Sequence, residues 1–125
     1  MQARSTSMSQ VLSNFRIARS DEDLLGLLVN ENHLAFKWNR SDCEVFFSAT
    51  RHGLGMSCHF SSDKRGLRHI RQAIGEFIDY VFEFYPWCKM ILCITNRPSV
   101  VRIVEDFGFQ HVMTNNGCMA YMRKR

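Results

Sequence analysis

The segment that decides the fold runs Leu54-Gly-Met-Ser-Cys-His-Phe-Ser-Ser62, Asp63-Lys-Arg-Gly66, a periodic stretch to Tyr85, Lys89-Met-Ile-Leu-Cys-Ile-Thr95, and Asn96-Arg-Pro-Ser-Val-Val-Arg-Ile-Val-Glu-Asp-Phe-Gly-Phe109. It reads as strand, charged turn, long helix, buried strand, second helix and glycine stop. In the long helix, expected over residues 67–85, Leu67, Ile70, Ile74, Phe77, Ile78, Val81, Phe82 and Tyr85 recur at spacings of three and four. That is the period of one buried helix face. Arg68, Arg71, Gln72, Glu76, Asp79 and Glu83 fall on the other side, which is expected to be wet. Each large side chain buried on such a face contributes ~1.5–3 kcal/mol, so this helix should anchor the domain. Pro86 ends it, having no N–H for the next helical bond.

Met90-Ile-Leu-Cys-Ile94 is apolar at every position, which predicts a strand covered on both faces. A strand, a helix and a strand in succession predict a right-handed crossover, with this strand parallel to 54–61. Pro98 suits a first helical turn, Val100, Val101, Val104 and Phe107 supply the apolar face of the second helix, and Gly108 is its stop. Residues 110–113 and 118–122 flank Asn115-Asn-Gly117, which predicts a hairpin. Upstream, residues 34–38 and 44–50 read as strands that join 54–61 in an antiparallel meander, with turns at 39–42 and 51–53. Residues 15–18 predict a first strand. Ser20 followed by Asp21, Glu22 and Asp23 predicts a capped helix that buries Leu24, Leu25, Leu27 and Leu28. Residues 1–13 read as a flexible arm and 14–125 as a single domain without repeats.

Bulk composition narrows the function classes. With 125 residues, 46% hydrophobic and 22% charged, the chain fits one globular domain. No apolar run approaches the ~20 residues of a membrane span. The N-terminal residues are rich in Ser and Arg, without an apolar core, so a secretory signal is not expected. Five cysteines form no Cys-x-x-Cys pair and read as reduced thiols packed like small apolar residues, with no metal site. Net charge is +4 and the pI about 9.0. The basic residues gather at 64–71 and at Arg123-Lys-Arg125, expected to be a solvated helix face and a solubilising tail.

With this order of elements, and with Asn96, Ser99 and Gly108-Phe109 in place, the chain from about residue 15 to residue 122 resembles the GNAT N-acetyltransferase family. The resemblance implies an α/β (α+β) fold: a GNAT-like mixed central sheet, an N-terminal antiparallel meander, a splayed central parallel pair, flanking helices and a C-terminal hairpin. It also implies an acyl-CoA site at the turn before the long helix. The family's pattern there is Arg/Gln-x-x-Gly-x-Gly/Ala, whose backbone N–H groups meet the pyrophosphate. The matching run is Arg65-Gly-Leu-Arg-His-Ile70. Arg65 keeps the first position and Gly66 stands at a variable one, while Arg68 and Ile70 replace the small residues. The family's tyrosine acid falls on Val104, which has no proton to give. Asn96 is the position best kept, and helix capping would also explain it.

A kept scaffold with an altered site leads to the expectation of a degenerate CoA site and no cofactor. Residues 60–109 are also similar to small GNAT-like virion proteins of podovirus-type phages, which implies a role in head or virion assembly. The preferred expectation is a non-enzymatic assembly protein, partnered by other virion or assembly proteins in the host-cell cytoplasm or the virion. Phe84, Trp87, Arg68 and Arg71 are its contact candidates. The alternative is an acetyl-CoA-dependent N-acetyltransferase with an atypical pyrophosphate loop. In that case Arg65, Gly66, Leu67, Arg68 and Asn96 would hold the coenzyme, and His59 and Glu44 are the candidate bases. Neither a membrane nor a nucleic-acid partner is expected, since no aromatic residues are seen interleaved with the basic ones.

Overall fold

The structure, a computed structural model, describes residues 15–17, 33–40 and 43–125. The arm expected at 1–13 and the helix expected after Ser20 lie outside the described residues. The strands are β1 (Phe15–Ile17), β2 (His33–Arg40), β3 (Cys43–His52), β4 (Gly55–Ser62), β5 (Met90–Thr95), β6 (Gln110–Asn115) and β7 (Cys118–Lys124). A 3₁₀ turn at Gly66–His69 leads into α1 (Ile70–Phe84), and α2 (Pro98–Asp106) follows β5. The strands form one seven-stranded sheet in the order β1-β2-β3-β4-β5-β7-β6. Every pairing is antiparallel except β4 with β5. This is the expected mixed sheet, with its meander, parallel pair and terminal hairpin. In that hairpin Asn116 and Gly117 both have positive φ, at 52° and 80°, as a tight two-residue turn requires. Among the described residues no helix is long and apolar enough to cross a membrane.

α1 packs its apolar stripe on one face of the sheet. The rings of Phe47 and Phe77 stack at 4.4 Å with planes 4° apart, and Phe36, Met56, Ile78, Val81 and Ile91 are almost wholly buried around them. Two positions differ from the periodic reading. Leu67 is 60% exposed, because the helix is entered through a 3₁₀ turn of four residues rather than α-helix. That tighter winding rotates Leu67 off the stripe that starts at Ile70. Glu76, expected on the wet face, is fully buried. Its carboxyl group accepts the Trp38 indole N–H at 3.0 Å and the Gln72 amide at 2.9 Å, and Arg40 donates to Gln72 in turn. These bonds compensate the desolvation of a carboxyl group placed under an apolar sheet.

β5 is covered less completely than expected. Ile91 and Cys93 are buried, but Ile94 is 47% exposed. Similarly, β4 starts at Gly55, and Leu54 is exposed in the turn before it. The Arg123-Lys-Arg125 run is not merely a solubilising tail. The Arg125 guanidinium donates to the carbonyls of Phe82, Tyr85 and Cys88 at 2.5–2.9 Å, closing the C-terminal end of α1 where orphan carbonyls and the negative helix pole favour a cation. Arg125→Ala should lower stability by about 1–2 kcal/mol. A urea titration would show this as a lower midpoint at unchanged m-value, and an unchanged midpoint would refute the clamp.

Cys58 and Cys93 face each other on the last paired row of β4 and β5. None of the five cysteines is in a disulfide. Burial pushes the Cys93 thiol up to about 11, and burial, with Cys93 and Cys88 nearby, pushes Cys58 up as well. The unfolded chain, with ordinary thiols near ~8.5, therefore loses these protons first as pH rises. The stabilisation is complete below about pH 8.5 and declines from there as pH climbs towards the folded value near 11. Urea midpoints should fall across this alkaline range, and less steeply in Cys93→Ala. Equal slopes in the two proteins would contradict the assignment.

Candidate functional site

β4 pairs with β5 over Gly55–Cys58 against Met90–Cys93. Beyond that row β4 continues to Ser62 along β3, and β5 continues to Thr95 along β7. The two central strands therefore part, and among the described residues no strand pairs with the β5-facing edge of β4 from His59 onward. Met56 and Phe60 pack in or against the core. Strand alternation accordingly puts Ser57, His59 and Ser61 on the opposite face of the sheet from α1. His59 is the first residue past the last shared row, is exposed, and pairs across β3 with Ser48.

Glu44, the other candidate base, is not brought to the same place. It lies four positions along β3 from Ser48, or ~13 Å at the rise of a strand. Its carboxylate is engaged by Lys37 Nζ at 2.8 Å. Of the two, only His59 stands at the parting of the strands.

The turn after β4 is organised by Asp63. Its carboxylate accepts the Gly66 N–H at 2.6 Å, its carbonyl accepts Leu67 N–H at 3.2 Å, and the Arg65 carbonyl accepts Arg68 N–H at 3.2 Å. These three amides are thus engaged within the chain. Gly66 is required by packing: a Cβ there would lie 2.6 Å from the Glu44 carbonyl oxygen. Arg65 and Arg68 are exposed, whereas Ile70 is turned into the core. The two large residues at the family's small positions therefore point in different directions, one to solvent and one inward. Ser62 Oγ beside this turn is buried and has no hydrogen-bond partner among the described residues.

Asn96 is exposed beyond β5 and does not cap α2. The cap position is Arg97, with no side-chain cap bond of its own, and the Thr95 hydroxyl accepts the Arg97 N–H at 3.1 Å. Val104 is buried in the core under α2. Among the described residues, no group of three or more His, Cys, Asp or Glu is placed to hold a metal ion.

The four contact candidates fall at two places rather than one. Arg68 and Arg71 lie at the start of α1, and Arg71 forms an exposed ion pair with Asp106 at 2.5 Å, an interaction of small net value. Phe84 and Trp87 lie at the far end of the helix, ~20 Å away by helical rise. Phe84 is 41% exposed against Tyr80, and Trp87 lies beneath the Arg51 guanidinium at 3.9 Å. Sequence reasoning missed that arginine–aromatic contact, because Arg51 and Trp87 are distant in the chain and meet only through the sheet.

No sequence family and no curated protein matches the chain at the level of sequence. Solved structures do match its backbone. The Campylobacter jejuni N-acetyltransferase PseH is similar at TM-score 0.63 and 13% identity, over 77% of this chain and 70% of that one. The GNAT domain of S. lividans PAT is similar at TM-score 0.62 and 9% identity, over 75% of this chain and 61% of that one. At such identities the likeness is one of architecture, and the chain has the GNAT fold.

Proposed function

We propose that the chain is an acyl-CoA-dependent N-acyltransferase, with acetyl-CoA as the donor to test first. The observation that carries this reading is the parting of β4 and β5 after Cys58 and Cys93, which opens a gap between the two strands where an extended ligand could lie. An acyl-CoA has a pantetheine arm with amide groups, and such groups suit the N–H and C=O groups of an open edge. The phosphate end fits differently. The amides of Gly66, Leu67 and Arg68 are already engaged, so the diphosphate would be held by the exposed guanidinium groups of Arg65 and Arg68. The likeness to two acetyltransferase structures supports the same reading.

On this reading the coenzyme supplies an acyl group activated as a thioester. His59, exposed where the strands part, would take the proton that an acceptor amine loses as its nitrogen bonds to the acyl carbon and the carbon–sulfur bond breaks, and would return that proton to the departing thiolate, so that amide and free thiol are the products. Holding amine and thioester together in the cleft would supply much of the remaining acceleration. A second reading is the non-enzymatic phage head or virion assembly protein. It draws support from exposed Phe84 at the far end of α1, and it ranks second because the similar structures are acetyltransferases.

Isothermal titration with acetyl-CoA should show saturable binding, weakened about tenfold by the double change Arg65→Ala and Arg68→Ala. No detectable binding at high micromolar protein overturns the enzyme reading and leaves the assembly reading. Where binding is found, His59→Ala should lower kcat ~10²-fold with acetyl-CoA affinity unchanged. Steady-state rates with a panel of primary amines test this, and an unchanged kcat would remove His59 from the chemistry.

A further inference from the structure

We propose that the acceptor is a primary amine carried on an uncharged, apolar body, and that this body lies on the open face of β5, β7 and β6. The inference rests on the acyltransferase reading and adds the class of acceptor to it. Strand register lays out the ground. Cys58 and Cys93 form the last row shared by β4 and β5, so His59 and Ile94 are the first residues past it on their strands. Alternation turns both to the face away from α1. The row through Ile94 continues across β7 and β6 as Ala120 and Met113, and the next row on that face is Leu92, Met122 and Gln110.

This face is closed on one side of His59 and open on the other. Ser48, its partner on β3, is 2% exposed, and Phe46 and Ala35 on the same face are buried as well. Past the parting, Ile94 is 47% exposed and Met113 57%. Ala120, Leu92 and Met122 between and beside them are half-buried. An acceptor with its nitrogen at His59 therefore extends over β5, β7 and β6 rather than over β3. From Ile94 to Met113 the strip crosses two strand spacings, ~10 Å, which suits a hexyl chain or a ring on a short arm.

The chemistry of the strip sets the class. Among the strand residues of this face from β4 to β6, Lys124 alone carries a formal charge, and it stands opposite Met90 at the end away from the parting. A phosphorylated or carboxylated acceptor would find no cation on these strands beside His59. A sugar would set its hydroxyl groups against Ile94 and Met113, which offer them no hydrogen bond. An aliphatic or aromatic body instead removes that apolar surface from water, as bodies of this kind do in apolar ligand sites.

The test compares steady-state rates of the full chain with acetyl-CoA and three amines: hexylamine, ethanolamine and 6-aminohexanoate, the last with a carboxylate at the far end of its chain. Hexylamine should exceed each of the others about tenfold in kcat/KM. The double change Ile94→Thr and Met113→Gln, at two largely exposed positions, should reduce that preference about fivefold. Acetyl-CoA binding measured by calorimetry separates the two readings. No binding overturns the acyltransferase reading and this inference with it. Binding without turnover of hexylamine, equal rates for the three amines, or a preference that the double change leaves unmoved overturns this inference alone. So does a dimer, seen by light scattering, that the double change dissociates, since the strip would then belong to a second copy of the chain.

Discussion

The four-residue parallel pairing of β4 with β5 is the constraint on which the rest of the structure depends. A parallel pair cannot be closed by a tight turn, so the chain must cross over the sheet between the two strands. α1 makes that crossing, and its apolar stripe buries the face it crosses. The pairing then stops, and each strand finds its continuing partner on the outer side. β4 stays with β3 as far as Ser62 opposite Val45, and β5 stays with β7 as far as Thr95 opposite Met119. Because each parting strand remains bonded to its outer neighbour, the sheet can open in its middle without coming apart. The backbone groups of β4 and β5 that face the gap must find partners other than each other; on the proposed function an extended ligand would supply some of them.

α1 is fixed in its first half and at its C-terminal end by polar contacts rather than by its stripe alone. Near its start, Glu76 reaches beneath β2 to the Trp38 indole, with Gln72 and Arg40 completing the chain of bonds. At its end Arg125 spans three carbonyls. Apolar packing tolerates sliding of a helix along its axis more readily than a buried hydrogen-bond network does. These contacts therefore set where α1 begins relative to β4, and hence where Arg65 and Arg68 stand relative to the opening. Substitution of Trp38 would remove ring packing and also strand a buried carboxyl oxygen.

The fold was largely legible because its signals are local. The three-and-four spacing from Ile70 to Val81, the apolar run at Met90–Ile94, Pro98, Gly108 and the Asn-Gly turn each reflect the geometry of one element, and the order of elements restricts the topology. What failed was long-range or depended on rotation. Glu76 looks like a surface residue in any helical projection, since its partner Trp38 is 38 positions away. Leu67 looks like a core residue until the turn before it is known to be 3₁₀. Of the candidate site only the face of one strand residue was legible, and Glu44 stands four positions along β3 from the residue paired with His59. His59 could be put on the far side of the sheet from Cys58 and Phe60 by alternation alone. That Asp63 engages the Gly66 amide, or that Glu44 is paired with Lys37, depends on side-chain directions that no spacing encodes.

The glycine of the turn at 63–70 answers to a different constraint from the small residues of an amide cradle. In an amide cradle, small residues are needed because a ligand approaches the backbone. Here the glycine is needed because another strand does, with the Glu44 carbonyl oxygen only 2.6 Å from where a Cβ would be. Asp63 supplies the negative group that the turn's amides would otherwise seek. An anion arriving from outside would therefore meet side-chain cations first, and the interaction changes in kind. Amides in a fixed turn recognise the shape of a diphosphate, whereas exposed arginines recognise mainly its charge and lose strength as salt is added. On the proposed function, then, selectivity for an acyl-CoA would come from the arm lying along β4 between the parted strands, with the phosphates contributing attraction more than discrimination.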